Sequence, residues 1–295
     1  MVTPIQKREA VQHLQTCLLG GQESPLSQRR ACQVLGLPRQ SARRIPLRPM
    51  KDAPLRQQIQ ALAQKHPRYG YRRIHALLRR ESGAGVETQV LNIKRVHRLW
   101  KEAARQVPPR KKRRCRHKNQ AVKPPQQALY PGHVWSYDFV HDKCRGGAKL
   151  KLLCVNDEFT RQCHAIEVAA GLSARDVQKV LTRLFSQHGA PAFLRSDNGP
   201  EFVQSDLKAW LQEQKVQTLY IEPGSPWQNG KSESMHGKLR DECLDSELFN
   251  HRLEARCVIE NYRLAFNSQR PHSSLGYQTP NEFAQNWKLN QSILT

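Results

Sequence analysis

The order of apolar patterns after residue 131 restricts the fold more than any other feature of this 295-residue chain. Stretches of strand length, rich in β-branched and aromatic residues, occupy residues 134–140, 150–155 and 162–168. A helical pattern follows at 173–188, and then come a strand at 192–196, a helix at 201–214 and a strand at 216–221. Two further helices are predicted from about Asn229 and His251. This order predicts an α/β domain that begins with three antiparallel strands.

The first 105 residues have a different, helical pattern. Short helices are predicted at 27–35 and 39–44 and again at 71–80 and 91–105, with turns at Gly36-Leu-Pro38 and Ser82-Gly-Ala-Gly85. The buried faces expected for these helices are Ala31, Val34 and Leu35, then Ile74, Leu77 and Leu78, and finally Ile93, Val96, Leu99 and Trp100. Two helix-turn-helix units, each with a basic helix for the DNA major groove, fit this pattern. A plain helical bundle with a charged exterior fits it about equally well.

Net charge separates the two parts of the chain. Residues 1–130 contain 29 Lys and Arg against 6 Asp and Glu, whereas residues 131–295 contain 19 of each, so the first part holds the whole formal net charge of +23. Such a distribution is typical of a nucleic-acid-binding region joined to a neutral globular domain. A basic surface that only aids solubility is the alternative, and the size of the imbalance favours DNA.

Composition also predicts the domain boundaries. Consecutive basic residues and repeated prolines at 108–118 and beyond, without apolar periodicity, predict an extended linker. The predicted organisation is an N-terminal helix-turn-helix-like region at 1–50, a second helix-turn-helix at 51–105, a basic proline-rich linker at 106–130, a catalytic core at 131–285 and a C-terminal tail at 286–295.

Several classes of protein are disfavoured by the sequence. No apolar run approaches the ~20 residues that a bilayer-spanning helix needs, and no secretory signal is visible near the N-terminus. We therefore expect an intracellular protein that does not interact with a membrane. The eight cysteines form no Cys-x-x-Cys pair, which disfavours a zinc site, so reduced and buried thiols are expected.

Three acidic residues of the neutral part occupy special positions. Asp138 lies in the middle of a strand, where alternation places it with Ser136 and Val140, opposite the aromatic residues of that strand. Asp197 ends a predicted strand, and Glu233 lies near the start of a predicted helix. Taken singly, each has an ordinary explanation as a satisfied polar residue, a turn or a charge that suits the helix dipole. Together they are hard oxygen ligands that suit Mg²⁺ or Mn²⁺, and two such ions would promote phosphoryl transfer.

Five segments carry a resemblance to a known family. They are Trp135-Ser-Tyr-Asp-Phe-Val140, Asn156-Asp-Glu-Phe-Thr-Arg161, Arg195-Ser-Asp-Asn-Gly-Pro-Glu-Phe202, Gln228-Asn-Gly-Lys-Ser-Glu-Ser234 and Arg240-Asp-Glu-Cys-Leu244. They resemble the catalytic domain of bacterial insertion-sequence transposases with a retroviral-integrase-like core. The specific resemblance is to the downstream-frame (OrfB) protein of the family that encodes its transposase in two overlapping frames. That family keeps 35 residues between its second aspartate and its glutamate, and 35 residues separate Asp197 from Glu233.

The resemblance implies a fold, a reaction and a set of partners. The implied fold is an α/β catalytic core of ribonuclease-H-like (integrase) type, a mixed five-stranded sheet with flanking helices, preceded by an all-α helix-turn-helix DNA-binding region. Asp138, Asp197 and Glu233 form the implied catalytic triad and would hold Mg²⁺ (or Mn²⁺), as two ions. The implied enzyme is a DNA transposase that cleaves insertion-sequence ends and transfers the strands. Its implied partners are double-stranded DNA, further copies of the chain on that DNA, and an upstream-frame (OrfA) protein. The DNA would serve both as terminal inverted repeats and as target. The implied location is the bacterial cytoplasm, on the nucleoid.

Basic residues in three regions are the predicted DNA contacts. They are Arg72, Arg73, Lys94, Arg95, Arg98, Lys101, Arg110, Lys111, Lys112, Arg113, Arg114, Lys238 and Arg240. Lys231, Met235 and His236 depart from the family's usual residues, which leaves the triad intact but bears on DNA contacts of that helix. Four further acids fit the family's motifs without belonging to its triad, and these are Asp142, Asp157, Glu158 and Glu201.

Two other functions fit parts of the sequence. A catalytically incomplete DNA-binding regulator or remnant, which needs the upstream-frame partner, is the alternative, and the intact triad disfavours it. A stand-alone ribonuclease-H-like nuclease would explain the carboxylates but not the basic, helical first part.

Overall fold

The structure is a computed structural model that describes residues 3–16, 26–43, 47–82, 91–103, 126–222 and 226–294. The chain forms two compact units, Met1–Ala61 and Leu62–Thr295. Most of the predicted linker, through residue 125, lies outside the described residues, as do Cys17, Cys115 and residues 83–85 of the second predicted turn. In the described ranges, no helix has the length and apolar character needed to cross a membrane.

The first unit is helical. Its helices are α1 (Pro4–Thr16), α2 (Gln28–Val34) and α3 (Arg39–Arg43), and α4 (Leu47–Lys65) begins in it. Ala31 of α2 is buried as predicted, together with Leu37, which follows the helix. The prediction for Val34 is wrong, since this residue is 68% exposed on the outer side of a helix of only two turns. Gly36, at a φ of 56°, makes the predicted turn between α2 and α3.

In the described ranges of the second unit, two complete helices precede the sheet. They are α5 (Tyr71–Ser82) and α6 (Ile93–Glu102). Asn92 caps α6, because its side chain accepts a hydrogen bond from the backbone N–H of Lys94 at 2.8 Å. The predicted buried faces are confirmed at Ile74, Leu78, Val96, Leu99 and Trp100. Leu77 is only half-buried, and Ile93 is 40% exposed because it is the first residue of α6 and lies before the packed part of that helix.

The predicted strands form one mixed five-stranded sheet. The strands are β1 (Val134–Lys143), β2 (Lys149–Asp157), β3 (Cys163–Ala169), β4 (Phe193–Ser196) and β5 (Gln217–Tyr220). Their order in the sheet is β3-β2-β1-β4-β5. The first three strands pair antiparallel as predicted, whereas β4 is parallel to both β1 and β5. The central strand is therefore β1, with an antiparallel neighbour on one side and a parallel neighbour on the other.

Alternation along β1 sends its side chains to two separate cores. Trp135 and Tyr137 pack with α7 (Ala174–His188) and α8 (Ser205–Glu213). Val140 packs with α9 (Gly230–Leu239) and α10 (Arg252–Ser268) on the opposite face. The predicted separation of Asp138 from the aromatic residues of its strand is thereby confirmed. Ser173 caps α7 as predicted, in a capping box with Asp176.

The end of the described chain is more helical than expected. After α9 comes a π-helical turn at Arg240–Leu244, and the last helix is α11 (Pro280–Leu294), which runs through position 286, the predicted start of a tail. Glu282 accepts a hydrogen bond from the backbone N–H of Thr279 at 2.7 Å, and the Thr279 hydroxyl accepts one from the backbone N–H of Glu282 at 3.2 Å. This is a capping box, so Thr279-Pro-Asn-Glu282 carries a start signal for α11.

Most of the described cysteines are free and buried, as the sequence predicts. Free, buried cysteines are Cys32, Cys144, Cys154, Cys163 and Cys243. Cys257 differs, because it lies on the exposed side of α10.

Candidate active site

Asp138 lies in the middle of β1, on the sheet face that α9 covers, with its side chain only 17% exposed. Its Oδ2 accepts a hydrogen bond from Asn229 Nδ2 at 2.9 Å, and its Oδ1 accepts one from the backbone N–H of Phe139 at 2.7 Å. Burial raises the pKa of Asp138 to about 6, and the negative charges of Asp197 and Glu233 act in the same direction. A cation at this position would relieve the cost of the buried carboxylate.

Asp197 follows directly after β4. The pairing of β1 with β4 is parallel and matches Ser136 with Arg195, so Asp138 and Asp197 each lie two residues beyond that pair. Asp197 is exposed, and its Oδ1 accepts a hydrogen bond from the backbone N–H of Gly199 at 3.0 Å. The parallel register therefore brings the two aspartates to the same level of the sheet.

Glu233 lies in the first turn of α9 and is exposed. Residues three or four positions apart share a helix face, and two of the four such neighbours of Glu233 reach Asp138. Asn229 donates to it, and His236 Nδ1 lies 3.8 Å from Asp138 Oδ2. Burial, followed by the positive charge of Arg240, lowers the pKa of His236 to about 4, so its imidazole is neutral near pH 7. The face of α9 that carries Glu233 is thus directed at β1.

These three carboxylates fit a hard divalent cation, although they do not form a closed set of ligands. Among the described residues, no three Asp, Glu, His or Cys side chains are grouped closely enough to hold one metal ion. Beside Asp138, the buried Asn229 Oδ1 and His236 Nε2 lack hydrogen-bond partners within the described chain. Carboxylate and amide oxygens are the ligands that Mg²⁺ and Mn²⁺ prefer. The elements that carry the acids are therefore brought together, and the donor set suits such an ion.

The four neighbouring acids each have another partner. Asp142 accepts a hydrogen bond from the backbone N–H of Lys143 at 2.9 Å, and Glu201 forms an ion pair with Lys151. Three backbone N–H groups donate to Asp157 at 2.7–2.9 Å, and Glu158 lies 3.2 Å from the Arg195 guanidinium.

The predicted DNA contacts are placed in different surroundings. Arg72, Lys94, Arg98 and Lys101 are exposed and Arg95 is half-buried, whereas residues 110–114 lie outside the described residues. Lys238 borders a cavity, and the Arg240 guanidinium donates to the carbonyl oxygen of His141 at 2.9 Å. Arg73 differs from the other residues of α5 and α6, because its partly buried guanidinium lies 3.1 Å from Glu242. We assign Arg73 to holding α5 in place.

Arginines of α5 and of the residue stretch before it attach this helix to the α/β domain. Arg68 forms an ion pair with Asp241, Arg73 pairs with Glu242, and Arg80 pairs with Glu282 at 2.6 Å. Arg80 also donates to the carbonyl oxygen of Tyr277 at 2.9 Å. Arg270 donates to both carboxylate oxygens of Glu242, at 2.5 and 2.6 Å. Sequence patterns give no signal for the ion pairs of Arg68, Arg73 and Arg80, because the partners are about 170 to 200 positions apart in the chain.

Comparisons with known proteins agree with this arrangement. Residues 129–226 and 214–280 match families described as integrase core domains, and residues 50–113 match an HTH-like domain. The solved HTLV-2 integrase catalytic core domain is 18% identical with a TM-score of 0.42, over 54% of this chain and 99% of that one. The predicted fold class is confirmed: a mixed five-stranded integrase-type core preceded by a helical HTH-like region. The integrase core and HTH-like family matches define the class, a polynucleotidyl transferase core with an HTH-like domain.

Two insertion-element proteins are similar to this chain over most of its length. The uncharacterized 39.2 kDa protein of insertion element IS476 from Xanthomonas euvesicatoria is 37% identical over 291 residues, 99% of this chain and 80% of that protein. The uncharacterized 31.7 kDa protein of insertion element IS407 from Burkholderia multivorans is 38% identical over 261 residues, 88% of this chain and 91% of that protein. The chain belongs to the insertion-sequence transposases that combine an integrase core with an HTH-like domain.

Proposed function

We propose that this transposase cleaves DNA strands at the ends of its element and joins the exposed 3′-hydroxyls to target phosphates, with Asp138, Asp197 and Glu233 as catalytic residues. One observation supports this most strongly: Asp138 is held in the central strand at the level of Asp197 and beneath the helix face that carries Glu233. Water and then a DNA 3′-hydroxyl act as the nucleophile, so no covalent protein intermediate is required.

The catalytic carboxylates would hold Mg²⁺ (or Mn²⁺), as two ions. When bound, such ions activate the nucleophile and stabilise the leaving oxygen of a phosphoryl transfer. Asn229 fixes the orientation of the Asp138 carboxylate through its hydrogen bond to Oδ2. Gly199 anchors Asp197 in the same way through its backbone N–H. Both contacts preorganise the acids, which lowers the entropic cost of assembling the site.

DNA contacts and partners complete the proposal. Basic side chains of α5, α6, the linker, α9 and the turn after it would contact the element ends and the target DNA, and they are Arg72, Arg73, Lys94, Arg95, Arg98, Lys101, Arg110, Lys111, Lys112, Arg113, Arg114, Lys238 and Arg240. We propose the two helix-turn-helix regions at 1–50 and 51–105, the linker at 106–130 and the core at 131–285 as functional divisions. Further copies of the chain and the upstream-frame (OrfA) protein would complete the assembly on nucleoid DNA in the cytoplasm.

The metal requirement gives the direct test of this function. The purified chain, incubated with Mg²⁺ and a duplex that carries the terminal inverted repeat, should nick the duplex at the element end and join it to a second duplex. Chelation with EDTA should abolish both products and leave duplex binding intact, because basic side chains supply the binding. Cleavage that persists in EDTA would contradict the proposal. Binding without any cleavage would instead indicate the DNA-binding regulator.

Gly199→Ala should slow strand joining by roughly 10-fold to 10²-fold, because a misplaced catalytic group is costly. A Cβ at Gly199 would lie 3.0 Å from Asp197 Oδ1, so the carboxylate has to shift by a few tenths of an ångström. Gly146→Ala is the matched control, since nothing lies within 4 Å of a Cβ there. Joining rates of the two variants are compared at equal DNA occupancy. Equal rates would show that the Gly199 contact does not position Asp197.

A further inference from the structure

A cavity of about 630 Å³ lies against a different face of α9 from the one that carries Glu233. Lys231, Ser234 and Lys238 line it from α9, and none of the three triad acids does. With 3.6 residues per turn, these three positions lie about 100° to 160° around the helix from Glu233. Helix α9 therefore separates the reaction centre from this cavity.

The acids of the cavity wall are already paired. Both carboxylate oxygens of Asp157 accept hydrogen bonds from backbone N–H groups, at 2.7–2.9 Å. Glu158 is buried beside the equally buried Arg195, with 3.2 Å between a carboxylate oxygen and the guanidinium. The charges of both acids still attract Arg161 and Lys231. The cavity wall nevertheless holds only these two acids against four cations, which are Arg161, Arg195, Lys231 and Lys238.

Three basic side chains remain. Arg161 and Lys238 form no ion pair with a carboxylate in the part of the chain that the structure describes, and the Lys231 amine reaches the carbonyl oxygen of Glu158 at 3.5 Å. Burial, followed by the positive charges of Arg270 and Arg161, lowers the pKa of Lys238 to about 8. Burial likewise lowers the pKa of Arg161. Like charges are thus held close together in a half-buried space, and an anion would stabilise them.

Two buried polar side chains of the same wall lack partners. Ser136 is 1% exposed and Asn156 is 7% exposed, and both line the cavity. The Ser136 hydroxyl and both polar atoms of the Asn156 amide have no hydrogen-bond partner among the described residues. A hydroxyl and an amide NH₂ can each donate to an anionic oxygen. Buried polar groups of this kind destabilise a protein unless something pairs with them.

We propose that this cavity binds a phosphate group, held by the charges of Lys238 and Arg161 and by hydrogen bonds from Ser136 and Asn156. The phosphate is that of a DNA strand, an assignment that rests on the proposed function, and a free phosphate compound is the other source of the same chemistry. Ser136 lies two residues before Asp138 on the same strand face, so a strand held here runs close to the reaction centre.

Thermal melting of Lys238→Met in the full chain tests the site without any catalysis. In chloride buffer the variant should melt at the wild-type temperature or above it, because a half-buried charge facing Arg270 and Arg161 is removed. Replacing chloride by inorganic phosphate at equal ionic strength should raise the melting temperature of the wild type, and this rise should be lost in Lys238→Met. Lys179→Gln, which removes an 80% exposed charge on α7, is the control and should keep the rise.

DNA binding distinguishes the two sources of phosphate. Without divalent metal, the slope of log Kd against log salt for duplex DNA should fall by about 1 in Lys238→Met, and by about 1 more when Arg161→Asn is added. Loss of the phosphate-dependent rise with an unchanged slope supports the site as one for a free phosphate compound. A rise retained in Lys238→Met overturns the proposal. These readouts do not depend on strand cleavage, so a wild type that binds phosphate here but never cleaves DNA would refute only the proposed function.

Discussion

Asp138→Asn, Asp197→Asn and Glu233→Gln are each expected to abolish DNA cleavage and joining while leaving DNA binding largely intact. The neutral side chains keep the shape of the acids and lose the charge that would hold the cations, so rates should fall by at least about 10³-fold. The measurement is Mg²⁺-dependent cleavage and joining of an element-end duplex. Binding of the same duplex without divalent metal reports on folding and on the basic surface.

The neighbouring acids provide matched controls. Asp142→Asn and Glu201→Gln remove a charge from the same domain, but Asp142 accepts a hydrogen bond from a backbone N–H and Glu201 pairs with Lys151. Both variants should keep most of the activity. Full activity in Asp197→Asn, or a loss in the controls as large as in the triad variants, would refute the assignment.

Glu242→Gln is expected to lower the free energy of unfolding by about 3–5 kcal/mol. The Glu242 side chain is 7% exposed and accepts two hydrogen bonds from Arg270 and one from Arg73. Its neutralisation leaves the buried Arg270 guanidinium, 3% exposed, and the partly buried Arg73 guanidinium without a counter-charge. For a unit of this size the melting temperature should fall by roughly 6–20 °C.

An exposed ion pair provides the control for the loss of stability expected in Glu242→Gln. Glu102 lies 2.7 Å from Arg98 on α6, and the side chains are 39% and 42% exposed. Glu102→Gln should therefore change the stability by only a few tenths of a kcal/mol, about 0.3–0.5. Thermal melting of both variants in one buffer makes the comparison. Similar melting temperatures would mean that Glu242 contributes no more than a surface charge.

Hydrophobic periodicity predicted the strands well, because the side chains of β1 pack alternately into two cores on opposite faces of the sheet. The aromatic residues of β1 alternate with Asp138 and Val140, and a shift of one residue would exchange the whole set between the cores. Asp138 could therefore be placed on its sheet face from sequence alone. Its partner Asn229 could not, since the role of an amide depends on the distance to Asp138 across the fold.

The order of the strands in the sheet and the long-range ion pairs could not be predicted from the local sequence pattern. Nothing in the residues of β4 indicates that it pairs parallel to β1, and that pairing is what brings Asp197 to Asp138. The resemblance to the transposase family supplied this part of the expectation. Arg73 was predicted as a DNA contact because it stands in a basic helix, yet its partner is an acid 169 positions later in the chain.

The arginine contacts of α5 and of the stretch before it fix the distance between this helix and the catalytic domain. Three ion pairs, made by Arg68, Arg73 and Arg80, hold α5 against the domain that carries the proposed catalytic acids. If α5 and α6 read the element end, the cut falls at a set length from the sequence that is read. Each base pair inserted between the two would move the scissile phosphate by about 3.4 Å along the duplex axis and rotate it around that axis. The spacing within the terminal repeat is then a property of the protein as much as of the DNA.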